Sequence, residues 1–251
     1  MKIGIMGAGS IGSTLTRRLS EAGHDVQVAN SRGPSTIDPQ FLEFGATAVE
    51  ASAVVEDVDV LILSIPLNRL PDYASTVRDL PPETVVIDTS NYYPVRDNRI
   101  EALDDGQVES VWVQETLGRP IVKAWNAITS QSFADKPMSS GADGRIALPF
   151  AADRDEDRRV AAQLIDESGL DPFDAGSIAD SWRQQPATPA YCTDLTVDEM
   201  PAALAAAEKD RSPRRRDLVS AIVYERTDGF SQNMGEGFGD WLVSLNRHVY
   251  R

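Results

Sequence analysis

A glycine-rich segment near the start of the chain constrains the fold more than any other feature. Residues 2–6 form a short apolar run with β-branched side chains, which predicts a buried strand. The segment GAGSIG, residues 7–12, follows directly, and residues 13–22 then have helical spacing, with Leu15 and Leu19 on one face. A Gly-x-Gly-x-x-Gly turn between a strand and a helix is typical of a dinucleotide-binding βαβ unit.

Each glycine of this turn has a distinct expected role. Gly7 permits the tight turn, Gly9 lets the backbone approach a pyrophosphate, and Gly12 lets the helix pack closely on the strand. The free N–H groups of Ser10, Ile11 and Gly12 would hold the phosphates at the positive end of the helix. The sequence therefore predicts a nucleotide site at residues 7–12.

The end of the second predicted strand selects the nucleotide. NAD-binding proteins carry an acidic residue there that accepts hydrogen bonds from the ribose 2′-hydroxyl. This chain has Asn30, Ser31 and Arg32 instead. Asn30 removes the anion that would repel a 2′-phosphate, Ser31 adds a hydroxyl donor, and Arg32 offers charge-assisted hydrogen bonds. We therefore expect NADP(H) as the cofactor.

The alternation of strands and helices continues along most of the chain. We predict strands at 2–6, 25–29, 46–49, 58–65, 84–88, 121–125, 145–151 and 172–175, and helices at 13–22, 51–56, 67–80, 111–117, 155–168, 197–209 and 217–225. This order predicts an α/β fold with a doubly wound parallel Rossmann sheet. We expect residues 1–190 to form the NADP-binding domain and residues 191–251 a helical carboxyl-terminal appendage that makes a dimer or covers the acceptor site.

Three further strand ends are expected at the same crevice, because ligands of doubly wound sheets bind outside the carboxyl ends of the strands. Residues 64–66 are expected to contact the nucleotide through their backbone. Asn91 and Asn126 follow the next two strands and are candidate contacts for the nicotinamide or the substrate, with loop capping as the alternative. Trp125 is a weaker candidate, and core packing is its favoured role.

Composition excludes several other classes of function. The chain carries 39 acidic and 24 basic residues, a formal charge of −15, which disfavours nucleic acid and anionic membranes as partners. One cysteine, Cys192, and two histidines, His24 and His248, leave no metal site to expect. The basic residues at 211 and 214–216 are interpreted as a solvated helix start. We expect a cytoplasmic protein without a membrane span.

Several motifs together resemble one family. The glycine turn, Ser31-Arg32, the strand VDVLILSIP, the stretch IVKAWNAI and the later segments RIALPFAAD and LIDESGLDPFDAG are similar to those of NADPH-dependent deazaflavin (coenzyme F420) reductases. The resemblance covers about residues 1–191. Related amino-terminal domains occur in pyrroline-5-carboxylate reductases and membrane ferric reductases. The first half of the chain alone therefore does not distinguish between these families.

The resemblance implies hydride transfer between the nicotinamide C4 and the C5 of a deazaflavin, stacked face to face, without an obligatory side-chain acid or base. The tail after Tyr191 departs from the compact archaeal members. The family's NADP contacts correspond here to Gly7, Ala8, Gly9, Ser10, Ile11, Gly12, Ser31, Arg32, Ser64, Ile65, Pro66 and Ala124.

Two other functions remain open from the sequence. One is NADPH-dependent reduction of a small imine or carbonyl, which requires a proton donor such as Tyr92 or Tyr93. The other is a sensing module that binds NADPH without oxidising it. Residues 197–251 contain apolar side chains that need a partner surface, so we expect a homodimer through this region.

Overall fold

The computed structural model describes residues 1–229, 235 and 237–250. It contains an eight-stranded sheet of order β3-β2-β1-β4-β5-β6-β7-β8. The chain leaves β1 toward one edge through β2 and β3, then returns to the other side of β1 with β4. The strands are β1 (Lys2–Met6), β2 (Asp25–Ala29), β3 (Thr47–Ala48), β4 (Val60–Leu63), β5 (Val85–Asp88), β6 (Val122–Lys123), β7 (Ala147–Ala152) and β8 (Asp171–Asp174).

Helices connect the strands and form the carboxyl-terminal region. The α-helices are α1 (Ser10–Glu21), α2 (Ala74–Arg78), α3 (Pro94–Asp97), α4 (Glu101–Asp104), α5 (Glu109–Leu117), α6 (Ser130–Asp135), α7 (Asp155–Glu167), α8 (Met200–Ala205), α9 (Ser212–Arg226) and α10 (Phe238–Tyr250). Shorter 3-10 helices lie at Pro34–Thr36, Pro39–Leu42, Leu67–Tyr73 and Ile178–Gln184.

The α/β class and the Rossmann-like sheet are confirmed, with one difference in strand direction. Strands β1 to β6 pair in parallel, whereas β7 runs antiparallel to β6, with Lys123 opposite Ala151. Strand β8 is again parallel to β7. The predicted parallel sheet is thus confirmed for β1 to β6, while β7 and β8 run in the opposite direction.

The core lies on both faces of the sheet because side chains alternate along each strand. Ile62 of β4 packs in a cluster on the α1 and α7 face, whereas Leu61 and Leu63 pack in a second cluster on the opposite face, which includes Val113 of α5. Both faces of the central strands are thus covered, as continuous apolar strands require.

The predicted helix at 51–56 was wrong, and Gln27 explains why. This segment forms successive turns, with Val54 N donating to Glu50 O at 3.2 Å. The Gln27 side-chain amide lies 3.1–3.3 Å from the carbonyl oxygens of Ala53, Val54 and Glu56. A side chain from β2 thus takes the carbonyl groups that a helix would need for its own continuation.

The predicted helix at 67–80 is split and shorter. Leu67–Tyr73 is a 3-10 helix containing Pro71, and α2 begins only at Ala74. Proline lacks an N–H and its ring obstructs the preceding turn, so a regular α-helix does not run through position 71.

The helical carboxyl-terminal region is present, with altered limits. The predicted helix at 197–209 is reduced to α8, while α9 extends the one predicted at 217–225 at both ends. The predicted appendage at 191–251 lies partly outside the described residues, and α10 occupies its end from Phe238 to Tyr250. This region packs on the Rossmann part, where Ala147 N donates to Leu195 O at 2.7 Å.

Candidate functional site

Sheet register places the predicted site segments along one edge. Met6 of β1 pairs with Ala29 of β2 and with Leu63 of β4. Leu63 in turn pairs with Asp88 of β5, and Asp88 pairs with Lys123 of β6. The loops that follow these five strands therefore all leave the sheet at the same edge, next to the point where the strand order reverses.

The glycine turn is closely packed at two of its three glycines. Gly7 has a φ of 114° and its N–H donates to Ala29 O at 2.8 Å. A Cβ at Gly7 would overlap the carbonyl oxygen of Ser64, and a Cβ at Gly12 would overlap that of Gly7. These two glycines thus let β1, α1 and the end of β4 lie close together.

Gly9 differs from them because it faces open space. A Cβ at Gly9 would meet no atom within 4 Å. Gly9 is also the residue immediately before α1, and no side chain caps this helix end. The first-turn N–H groups of Ser10, Ile11 and Gly12 have no intrahelical acceptor, so this end of α1 can bind an anion.

The segment after β4 borders the glycine turn. Ser64 N donates to Met6 O at 2.8 Å, which continues the β1–β4 ladder into the crevice. The Ile65 side chain lies beside Gly7, and Pro66 precedes the 3-10 helix. Of the predicted contacts, these residues and the glycine turn are thus brought together. Ala8, which packs beside the core, accepts a hydrogen bond from the Ser13 hydroxyl at 3.1 Å.

The loop after β2 holds its asparagine and exposes its arginine. Asn30 Oδ1 accepts from Arg32 N at 2.9 Å, and Asn30 Nδ2 lies 2.9 Å from the Thr36 hydroxyl. Ser31 and Arg32 are exposed, and the Arg32 guanidinium makes no hydrogen bond to any residue in the described part of the chain. Asn30 therefore shapes the loop, and the Arg32 guanidinium remains free to bind an anion.

Ala124 and Trp125 are buried and do not reach the surface where a ligand would bind. Ala124 is fully buried and its N–H donates to Asp88 O at 3.2 Å. Trp125 is 1% exposed, and its indole N–H donates to the Ser168 hydroxyl at 3.3 Å. Trp125 packs in the core cluster beside α7, so its ring offers no stacking face at the edge of the sheet.

Asn91 and Asn126 are brought together in one polar network. Asn91 Nδ2 donates to Asn126 O at 2.9 Å, and Asn126 Nδ2 donates to Asn91 Oδ1 at 3.2 Å. Gln184 fixes the pair from the other side, because its side chain donates to Asn126 Oδ1 at 3.0 Å and its carbonyl accepts from Asn126 Nδ2 at 2.9 Å. The network holds the loops after β5 and β6 in one arrangement.

Two phenols extend this network. The hydroxyls of Tyr93 and Tyr191 lie 2.7 Å apart, and Asn91 Nδ2 donates to the Tyr191 oxygen at 3.3 Å. Burial raises the pKa of both phenols well above the ordinary value, so both stay protonated at neutral pH. One of the two hydroxyl protons is used in the hydrogen bond between the phenols. The second hydroxyl proton can be donated to a further acceptor.

A buried ion pair anchors the loop after β5. Lys123 and Asp88 are fully buried, with Lys123 Nζ 2.6 Å from Asp88 Oδ2. Lys123 also donates to Ser90 O at 2.6 Å, and Ser90 N donates to Asp88 Oδ1 at 3.0 Å. These bonds fix the backbone immediately before Asn91.

Helices of the carboxyl-terminal region pack an apolar cluster against the phenols. One buried cluster contains Ala127, Tyr191 and Cys192 together with Val219 of α9 and Tyr250 of α10. Burial also raises the pKa of the Cys192 thiol, so this cysteine is a protonated packing residue. Tyr93 also packs against this cluster, so both phenols lie beneath it.

Sequence reasoning missed four polar members of this site, namely Asp88, Lys123, Gln184 and Tyr191. Lys123 and Asp88 carried a usable signal, since each is a charged residue at the end of an apolar strand. Gln184 and Tyr191 are distant in sequence from their partners and had no local signal.

Two properties of the described residues bear on other classes of protein. No group of three or more His, Cys, Asp or Glu side chains in the described ranges could hold a metal ion. Among the helices of residues 1–229 and 237–250, none has the length and apolar character needed to cross a bilayer.

Comparison with known proteins identifies similar sequences. A family model described as coenzyme F420-dependent NADP oxidoreductase matches residues 2–92. Protein YjhV of Escherichia coli K12 is 40% identical over 78 residues, which are 31% of this chain and 57% of YjhV. The chain thus spans little more than half of that curated relative.

Solved structures extend the likeness beyond the amino-terminal half. Protein SMa0349 of Sinorhizobium meliloti is 30% identical, with a TM-score of 0.66, over 78% of this chain and 95% of that one. A proposed F420-dependent NADP reductase of Arthrobacter sp. FB24 is 17% identical, with a TM-score of 0.58, over 88% of this chain and 95% of that one. The second likeness concerns the fold.

Proposed function

Because this chain belongs to the family of coenzyme F420-dependent NADP oxidoreductases and is an oxidoreductase of that type, we propose that it transfers a hydride between NADP(H) and a deazaflavin or similar flat acceptor. The observation that carries the proposal is the open face at Gly9, at the uncapped amino end of α1 and beside the end of β4.

The residues at this edge fit a dinucleotide. The cradle at Gly9 is the space that a Cβ would fill, and it gives a pyrophosphate access to the first-turn N–H groups of α1. The backbone after β4 lies against the same turn and can accept the adenosine and ribose portion. When bound, the reduced nicotinamide supplies the hydride.

The preference for NADP(H) over NAD(H) is assigned to the loop after β2. Asn30 is neutral and directed into its own loop, whereas Arg32 is exposed. A 2′-phosphate would pair with the Arg32 guanidinium and accept from the Ser31 hydroxyl, while the neutral Asn30 adds no repulsion. These features support NADP(H) over NAD(H).

Arg32→Ala should weaken NADP binding by ~2–3 kcal/mol and leave NAD binding nearly unchanged, because only NADP has the phosphate that the guanidinium pairs with. Calorimetric titration of both nucleotides measures the difference. Arg17→Ala, which removes an arginine from α1, is the matched control and should change neither affinity. Equal losses for both nucleotides in Arg32→Ala would contradict the 2′-phosphate assignment.

The polar network of the loops after β5 and β6 is the part of the chain that would position the acceptor. We propose that Asn91 and Asn126, locked by Gln184, set the wall against which the acceptor and the nicotinamide lie. Two rings held at reacting distance need orientation more than a proton donor, which agrees with amides and backbone lining this edge. The apolar cluster packed against the phenols excludes water from one side of this wall.

A second function is favoured by one observation, the phenol pair. Reduction of a small imine or carbonyl requires a proton as well as a hydride, and the Tyr93–Tyr191 pair holds an O–H beyond the one it shares. This donor lies in the loop network after β5 and β6, which is the side of the sheet assigned to the acceptor.

The deciding experiment follows NADPH absorbance with purified protein and one acceptor at a time. Rapid, saturable oxidation with the deazaflavin, and little with FMN or FAD, would support the first function. Oxidation with a cyclic imine or a small ketone alone would support the second. Tight NADPH binding without turnover on any of them would contradict both and favour a sensing role.

We propose that residues 191–251 form an appendage through which two copies pair. Leu218 of α9 is 53% exposed and is the kind of side chain that a partner surface covers. The protein should sediment as a dimer at micromolar concentration, and Leu218→Lys should shift it toward monomer. Val95→Lys, at a position outside the appendage that is 63% exposed, should leave the dimer intact. A monomeric wild-type protein would contradict the proposal.

A further inference from the structure

A small cavity lies between the loop after β5, the start of α5 and the start of α9. Its volume is about 60 Å³. That is room for about four water molecules, or for one group of similar size. Its charged or hydrogen-bonding lining residues include Tyr92, Glu109, Lys209, Ser212 and Arg216.

Arg216 is held in this cavity with its outer nitrogens unused. The residue is 9% exposed, and its Nε donates to Asp217 Oδ1 at 2.9 Å. Its guanidinium carbon lies 5.2 Å from the centre of the Tyr92 ring, which fixes the plane of the group. Neither Nη1 nor Nη2 donates to any residue within 1–229, 235 or 237–250, so both are available to a group in the cavity.

Glu109 faces the same cavity and is also only partly satisfied. It is 6% exposed, and Oε2 accepts from Tyr92 N at 3.0 Å. Glu109 and Arg216 both line the cavity, yet no ion pair within 4 Å joins them in the described part of the chain. The cavity therefore separates a carboxyl group from a guanidinium with unused donors.

The surroundings set the protonation of Glu109. Burial, opposed by the charges of Lys123 and Arg216 and by the Tyr92 N–H, raises the pKa of Glu109 to about 7. Asp88 adds to the increase, and the nearby phenol of Tyr92 is neutral at this pH, since its own pKa is raised by burial. The carboxyl group is thus present in both forms near neutral pH.

Two basic side chains line this cavity although the chain as a whole is acidic. Lys209 and Ser212, the latter at the amino end of α9, line it together with Arg216. The neighbouring Arg211 and Arg215 pair instead with Glu208, at 3.1 and 2.6 Å. Only Arg216 of these three arginines lines the cavity, so the basic segment is more than a solvated helix start.

From this juxtaposition we propose that the cavity binds the carboxylate group of a small molecule, which accepts hydrogen bonds from the outer nitrogens of Arg216 and from the protonated carboxyl group of Glu109. Such a ligand would bridge α9 to the loop after β5. The site is separate from the proposed nucleotide cradle, and the inference does not depend on the identity of the hydride acceptor.

The test uses acetate as the probe and the full-length protein. Calorimetric titration at pH 6 and constant ionic strength should give saturable binding of acetate, and none of acetamide or chloride. Arg216→Met should weaken acetate binding at least about tenfold, because charged hydrogen bonds are lost. Arg214→Met removes the same charge from an exposed position two residues away and should change the affinity less than twofold.

A pH series examines the role of Glu109. Since the protonated form binds, wild-type affinity should fall about tenfold between pH 6 and pH 8, through the pKa of about 7. Glu109→Gln, which mimics the protonated acid, should bind acetate with no such dependence. If Arg216→Met does not fold, Arg216→Lys replaces it and should bind several-fold more weakly for want of the bidentate geometry.

Three outcomes would overturn the proposal. Acetate behaving no differently from chloride would make this a cavity for water only. Acetamide binding as tightly as acetate would show that charge has no role. Equal losses of affinity in Arg214→Met and Arg216→Met would attribute the effect to the general positive charge of the helix.

Discussion

Gly9→Ala is expected to fold as the wild-type protein does and to lose NADPH binding by at least about 3 kcal/mol. The added Cβ meets no atom of the protein within 4 Å, and the φ of −78° at this position suits alanine. The same Cβ would stand where the pyrophosphate must approach the first turn of α1. Loss of two charge-assisted hydrogen bonds, each worth about 1.5–3 kcal/mol, gives the expected size.

Gly12→Ala is the control that separates binding from folding. A Cβ there would overlap the Gly7 carbonyl oxygen and lie 3.3 Å from the Ser64 Cβ, so α1 could not keep its place on β1. This variant should lose stability in urea denaturation, while Gly9→Ala should unfold at the wild-type midpoint. Wild-type NADPH affinity in a folded Gly9→Ala protein would show that the nucleotide does not lie on this turn.

The second large effect is expected from Lys123→Met, which should cost about 3–5 kcal/mol of stability. The substitution leaves the Asp88 carboxylate, which is fully buried, without its counterion. It also removes the bond to Ser90 O that fixes the loop before Asn91. Urea denaturation followed by circular dichroism measures the loss.

The double variant Lys123→Met with Asp88→Asn distinguishes a paired charge from simple packing. Once both charges are gone, much of the lost stability should return, because replacing a whole buried pair is far less costly than breaking it. A strong coupling between the two substitutions is the expected result. Additive losses, or a single-variant cost below about 1 kcal/mol, would show that the pair contributes little.

The first βαβ unit could be predicted because its information is local. Strand β1, the glycine turn and α1 follow one another, and Gly23, with a φ of 90°, ends the helix where the sequence indicates. The failures elsewhere have non-local causes. Gln27 acts on residues 53–56 from another strand, and the direction of β7 depends on which strand it joins rather than on its own residues.

The candidate site also has a part that local sequence predicts and a part that depends on contacts between distant residues. Residues 7–12 and 64–66 were predictable from strand ends and glycine spacing. Tyr191 lies 100 residues from Asn91, and Gln184 lies 58 from Asn126, so only the folded chain shows their hydrogen bonds. Asn91 and Asn126 were identified singly, whereas their mutual bonds show that each holds the other in place.

The reversed direction of β7 has a practical consequence for labelling the protein. Because β7 runs against β6, it ends at the edge of the sheet opposite the glycine turn, where Arg154 donates to the Pro82 carbonyl that precedes β5. The amino-terminal part of α7 starts there and carries Glu156 and Arg159, both exposed. A fluorophore attached at position 159 would therefore report on unfolding from the edge remote from the proposed nucleotide site.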